Sequence, residues 1–294
     1  MRGGFRRLTV AGVAALALVA APADAAKKGK KPAKLKTRSA IAVTDITADA
    51  RPVPICPKGT IAVAGGFATR APLFAASLRH LLVIYVNSPS PFRNEWQIAG
   101  RELFGTIRES VTGYAYCERF RGRIRLVSED TTLTAVPRGA TTVAATCPKG
   151  TRVLSGGWVM EAPRAFDAGI VTRSMRTGAR NWTVEATRIS GTDPKILISQ
   201  AICGKDENAK SAKRFATAQV GGPIDSTFTA TTPSCRKRTP ARAGGFATPP
   251  LSEGLLNAAL VYEHYRLGRA WTTSAAASSN TTAASISSIA YCRR

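Results

Sequence analysis

The chain has 294 residues, with 42 Lys and Arg against 18 Asp and Glu, a formal net charge of +24, six cysteines and two histidines. Two histidines and the lack of any C-x-x-C or H-x-x-x-H spacing exclude the usual zinc-binding patterns, and no metal, cofactor or catalytic residue is assigned. The cationic excess favours anionic partners such as envelope polymers, acidic polysaccharide or phospholipid headgroups, with nucleic acid not expected as the physiological one.

In chain order, residues 1–25 read as a signal peptide. Arg2, Arg6 and Arg7 precede an apolar run from Leu8 to Ala21, and Ala23-Asp24-Ala25 offers a small-x-small cleavage site. The run is shorter than the ~20 residues that cross a bilayer, and no later stretch in the chain is long and apolar enough to do so. The expected location is therefore the cell exterior, released or retained at the surface. The general secretory and twin-arginine routes both stay open. Residues 26–38 read as a basic disordered linker: Lys27, Lys28, Lys30, Lys31, Lys34, Lys36 and Arg38 carry no acidic neighbour and nothing that buries.

The pentapeptide CPKGT then occurs at Cys56 to Thr60 and again at Cys147 to Thr151, with a degraded third copy, CRKRT, at Cys235 to Thr239. Nine and ten residues after each of these cysteines comes a glycine pair, Gly65-Gly66, Gly156-Gly157 and Gly244-Gly245, followed by Phe67, Trp158 and Phe246. Counting back 21 residues from Cys117, Cys203 and Cys292 finds Trp96, Trp182 and Trp271. Fixed offsets of this kind mark an internal threefold repeat, with units 39–118, 119–204 and 212–294. Six cysteines allow 15 pairings. The simplest, within each unit, joins Cys56 to Cys117, Cys147 to Cys203 and Cys235 to Cys292, each closing a loop whose chain entropy is worth about 4 kcal/mol.

Between these landmarks the chain reads as strands. Trp96, Ile98 and Gly100 alternate onto one face, as do Trp182, Val184 and Ala186, and Trp271, Thr273 and Ala275; Leu81 to Val86, Ile196 to Cys203 and Ser285 to Cys292 are β-prone. Asn87 to Pro91 reads as a turn. In CPKGT, Pro at the second and Gly at the fourth position of Cys-Pro-Lys-Gly predict a type I turn rather than an anion cradle. The glycine pair predicts a bulge or a close backbone approach. The three tryptophans are expected in the core, with a sugar platform as the alternative. In Glu118 to Leu126, Arg119, Arg121, Arg123 and Arg125 alternate with Phe120, Gly122, Ile124 and Leu126. A strand there places four guanidiniums on one face ~7 Å apart, a candidate polyanion track or a solvated edge. No nucleophile elbow, zincin helix or phosphate loop occurs; a single unit could still carry a site of its own, for example around His264, between Glu263 and Tyr265, although one histidine in a strand-like run is more often structural.

The pattern Cys-Pro-x-Gly-Thr, Gly-Gly-aromatic, Trp, Ala-x-Cys resembles a repeat met in secreted actinobacterial proteins of uncharacterised function, which implies export but no activity. A threefold set of disulfide-linked β units is also similar in symmetry to the β-prism of the vitelline membrane outer layer protein. The expectation is an all-β chain of three homologous antiparallel units, each with one intra-unit disulfide. They are either packed about a pseudo-threefold axis or set in tandem as small sandwiches, and the short link after Cys117 favours packing together. Three functions are carried forward: a non-enzymatic binding or structural protein that associates with anionic polymer, a carbohydrate-binding module, and a secreted hydrolase. The oligomeric state is left open.

Overall fold

Among the described residues, alternation in the sequence becomes seventeen strands and no helix. The structure, a computed structural model, describes residues 36–43, 49–72, 80–92, 94–104, 109–120, 122–133, 139–163, 168–191, 194–205, 211–222, 225–236, 240–249, 259–277 and 281–293. The signal peptide and Lys27, Lys28, Lys30, Lys31 and Lys34 lie outside them, as do Arg121 and residues 237–239 of the third turn.

Repeat 1 supplies β1 (Lys36–Val43), β2 (Ile61–Ala68), β3 (Leu81–Pro89), β4 (Trp96–Phe104) and β5 (Ser110–Glu118). Repeat 2 supplies β6 (Ile124–Leu133), β7 (Ala140–Thr146), β8 (Thr151–Met160), β9 (Ala168–Arg176), β10 (Asn181–Ser190) and β11 (Lys195–Lys205). Repeat 3 supplies β12 (Ser211–Gly222), β13 (Thr227–Thr231), β14 (Ala241–Ala247), β15 (Ala259–Leu267), β16 (Ala270–Ala277) and β17 (Thr281–Arg293). The disulfides are Cys56–Cys117, Cys147–Cys203 and Cys235–Cys292, one per repeat as the spacing suggests.

The strands of a repeat do not stay together. The sheets run β1-β5-β2-β15-β16-β13, β12-β17-β14-β9-β10-β7 and β4-β3-β8-β11-β6. Each therefore takes one group of strands from one repeat and completes itself with strands of the preceding repeat. In repeat 1 the place of a sixth strand is held by two isolated bridges, Ala50 to Gly100 and Ile55 to Glu95. The order is cyclic: β3 pairs with β8, β9 with β14, and β15 with β2, so repeat 3 closes back on repeat 1. Tandem sandwiches are thereby replaced by a closed ring of shared sheets, and Lys31–Arg294 is one compact unit.

Three local expectations are corrected. β1 begins at Lys36, so Lys36, Thr37 and Arg38 are strand, paired with Cys117, Tyr116 and Ala115, rather than disordered linker; the free edge of β5 captures them. Glu118 to Leu126 is not one strand. β5 ends at Glu118, Gly122 takes φ 130°, and β6 starts only at Ile124, because the chain must leave one sheet and enter another there. Asn87 to Pro91 is not all turn, since β3 runs on to Pro89 against Trp96.

Candidate functional site

The repeated motifs are consumed by the seams between repeats. A Cβ on the first glycine of each pair, Gly65, Gly156 or Gly244, would enter the indole of Trp96, Trp182 or Trp271 in the same repeat. A Cβ on the second, Gly66, Gly157 or Gly245, would strike the backbone carbonyl of His264, Asn87 or Ser174 in the neighbouring repeat. One glycine admits the core tryptophan and the other admits the next repeat, which is why both are needed side by side. The next residues meet edge to face where the repeats converge, Phe67 to Trp158 at 6.0 Å and Trp158 to Phe246 at 5.6 Å between ring centroids. Beyond them Leu81, Val83, Ile170 and Leu260 cluster, and a small apolar cavity of ≈ 30 Å³ lies between these layers.

Buried indole N–H groups require acceptors. Trp96 donates to Asn87 Oδ1 at 2.7 Å, Trp182 to Ser174 Oγ at 3.1 Å and Trp271 to His264 Nε2 at 3.0 Å. His264 is thus the third member of a structural set. Its Nδ1 faces Thr273 Oγ1 at 3.0 Å, and burial pushes its pKa down to about 3, so the ring is neutral at ordinary pH. With Nε2 accepting from the indole, Nδ1 carries the proton. The offsets from the tryptophans differ because the intervening hairpins differ in length, which hid this set from sequence reading.

Two of the three seams add a second bond. Tyr291 Oη accepts the Arg176 backbone N–H at 2.8 Å and Tyr116 Oη that of Arg266 at 2.6 Å, each beneath the guanidinium of the same arginine, 4.5 and 4.6 Å from the ring. Burial raises the Tyr291 phenol to about 12 and pushes Tyr116 up as well. At the third seam the matching residues are Ile202, without a hydroxyl, and Pro89, without an N–H, so neither group is left unsatisfied. Bulges at Val63, Leu154 and Arg242 complete the set. Arg242 differs from the other two: its guanidinium grips Glu118 of repeat 1 with Nε at 2.9 Å and Nη2 at 3.0 Å, and Arg293 adds a contact at 2.8 Å.

All three disulfides lie at the same end of the strands. Lys36 and Ala62 pair with Cys117, Arg125 and Val153 with Cys203, and Ala212 and Ala241 with Cys292. The CPKGT turns are here, shifted one residue from expectation: Thr60 N–H bonds the Pro57 carbonyl at 3.0 Å and Thr151 N–H that of Pro148 at 3.1 Å. Proline is therefore the first residue of the turn and glycine the third, at φ 76° for Gly59 and 77° for Gly150, a geometry that glycine alone takes without strain. Exposed cations collect at this end: Arg38 at the tail root, Lys58 and Lys149 in the turns, Arg119, Arg123 and Arg125 around the crossing, and Lys205, Lys213, Arg236 and Arg269. Among the described arginines of the series, Arg119, Arg123 and Arg125, only Arg125 is in a strand, so in place of a linear track these cations share one end with the turn lysines. Among the described residues the acids at this end are Glu95 and Glu118, and Glu118 is already engaged by Arg242 and Arg293.

The described acids otherwise lie along the strands or at the opposite end. There Asp49 accepts from Tyr85 at 2.6 Å and from Arg101 at 2.5 Å. Fully buried His80 has Nε2 4.0 Å from Glu109 Oε1, and neither ring nitrogen is hydrogen-bonded. Burial, then the charge of Glu109, raises the Glu102 carboxyl. Sequence reading missed this cluster, because its members are far apart in the chain. Among the described residues no three His, Cys, Asp or Glu side chains are placed to hold a metal ion. Comparison with protein-family models and with curated proteins finds no match to this chain.

Proposed function

We propose that this is an exported, non-enzymatic binding or structural protein of the cell exterior, whose disulfide end associates with anionic polymer. The separation of charge carries this reading. Exposed cations from all three repeats share one end, where the one buried carboxylate among the described residues is neutralised from within, and β1, which follows Lys27 to Lys34 in the sequence, begins at that end. Three disulfides suit an oxidising compartment, and no helix among the described residues is long and apolar enough to cross a membrane. Binding to dextran sulfate, as a probe polyanion, is expected to weaken at least ~10-fold from low to physiological salt. Changing Lys58, Arg119, Arg125, Lys149 and Arg269 to Ser, or deleting residues 27–34, should weaken it further. Binding indifferent to salt and to both variants would refute the proposal.

A second reading, attachment to neutral glycan, has one observation in its favour. The repeated indoles are buried, at 1% exposure or less, and offer no face to a sugar. Tyr114 and Tyr265, however, stack at 5.4 Å across Gly66 and are partly exposed, beside the Glu263 carboxylate and the exposed Thr229 and Thr231. Retention on chitin or cellulose in high salt, lost in a Tyr114→Ala/Tyr265→Ala variant, would favour this reading over the first.

A further inference from the structure

Two of the most exposed large hydrophobic side chains occupy the same place in their repeats. Phe92, 74% exposed, and Leu267, 54% exposed, each lie four residues before the repeat's tryptophan, at the tip of the hairpin that joins β3 to β4 or β15 to β16. Gly178 takes that place in repeat 2. Ile55, 55% exposed, bridges to Glu95 beside the Phe92 hairpin. The other exposed hydrophobics, Ile41, Val53, Ile196 and Phe215, lie within extended chain rather than at a turn tip.

Both hairpins are at the disulfide end: Cys56 N–H bonds Asn94 O at 2.6 Å and Cys235 N–H bonds Arg269 O at 2.9 Å. Protruding apolar tips therefore stand at the same end as the exposed Lys58, Arg119 and Arg269. A linear polyanion in water uses the cations and gains nothing from the tips. The interface of an anionic bilayer uses both, since headgroups attract the cations while apolar side chains enter the headgroup–acyl boundary. We infer that the disulfide end docks on an anionic lipid surface, with Phe92, Leu267 and Ile55 inserted and the surrounding cations on headgroup phosphates. This rests on the polyanion reading and names its partner. The hydrophobic contribution belongs to repeats 1 and 3 and leaves repeat 2 at the rim.

The test uses the chain from Ala26 onward, which contains the whole compact unit and keeps the apolar run Leu8 to Ala21 away from lipid. Co-sedimentation is measured with vesicles of phosphatidylcholine alone and of phosphatidylcholine mixed with phosphatidylglycerol, and dextran sulfate binding is measured in parallel. Binding is expected only to the mixed vesicles. Phe92→Ser/Leu267→Ser should weaken that binding by at least ~10-fold while leaving dextran sulfate binding unchanged. In Phe92→Trp, tryptophan emission should shift to the blue on the mixed vesicles. Vesicle binding unchanged in the double serine variant, or dextran sulfate binding without vesicle binding, overturns the lipid inference and spares the polyanion reading. Failure to bind either overturns both.

Discussion

The two ends of the molecule are built under different constraints. At the disulfide end the repeats agree: the cysteines recur because each disulfide closes its own repeat, and the glycine pair and tryptophan because one glycine admits that repeat's indole and the other admits the neighbouring repeat. At the opposite end they diverge. Six residues after the tryptophans come Glu102, Arg188 and Ala277, and eight before the closing cysteines come Glu109, Lys195 and Ala284. Arg188 is fully buried and Lys195 is 4% exposed, so these positions are interior in repeat 2 as in repeat 1, yet carry opposite charge. Symmetry persists where ring closure demands it; elsewhere each repeat has filled its interior in its own way.

The contrast is easiest to break at a second glycine. Gly157→Ala drives a Cβ into the Asn87 backbone, which has no flexible end to give way, and is expected to cost more than ~4 kcal/mol or to prevent folding. Gly59→Ala has open space but φ 76°, and should cost only about 1 kcal/mol. Equal melting temperatures for the two variants would contradict the seam account. Next in size, Glu118→Ala leaves Arg242 buried without its carboxylate and should cost about 3–5 kcal/mol. Adding Arg242→Leu, the residue that repeat 2 has at Leu154, should recover most of that loss in a denaturant titration.

His264 sharpens the comparison by pH. An unfolded histidine takes up a proton below its ordinary value near 6.5, whereas the buried ring resists down to about 3, so protons favour the unfolded chain throughout that window. Stability from this group is complete above pH 6.5 and falls by up to ~1.4 kcal/mol per pH unit below it. His264→Asn, which copies Asn87, should flatten the profile between pH 6.5 and 5 relative to the parent chain. Identical slopes would remove His264 as the cause.

Smaller effects follow at the seams and the far end. Tyr291→Phe removes the acceptor for the Arg176 N–H and should cost about 1 kcal/mol, while Ile202→Tyr meets Pro89 and should bring no gain. At the far end, burial raises the Glu102 carboxyl, so its ionisation disfavours the folded chain as pH rises. Glu102→Gln should therefore raise the melting temperature slightly at pH 7 and leave it unchanged at pH 4; a lowered value at pH 7 would count against the buried-carboxylate account.

Much of the framework was legible in the residues, because covalent and steric constraints act at fixed chain distance. Trp182, Val184 and Ala186 announced a buried face, and the constant interval from Trp to Cys paired the cysteines correctly. The arginine series misled because strict alternation from Arg119 to Arg125 resembles a strand, while the need to change sheets breaks the chain at Gly122. CPKGT was placed in the right turn but the wrong register, since the left-handed conformation at Gly59 and Gly150 outweighs the preference of proline for the second position. The indole acceptors Asn87, Ser174 and His264 share neither residue type nor offset, and only their common pairing position unites them.

By itself, then, the sequence determined the number of repeats, their β character, the disulfides and the net charge, all properties of local spacing and composition. Tertiary structure alone decided which strands share a sheet and that repeat 3 closes on repeat 1. It also decided that cations remote in the chain meet at one end, with Phe92 and Leu267 among them. Those outcomes depend on long-range strand pairing, whose partners are chosen by packing across seams that no local pattern encodes.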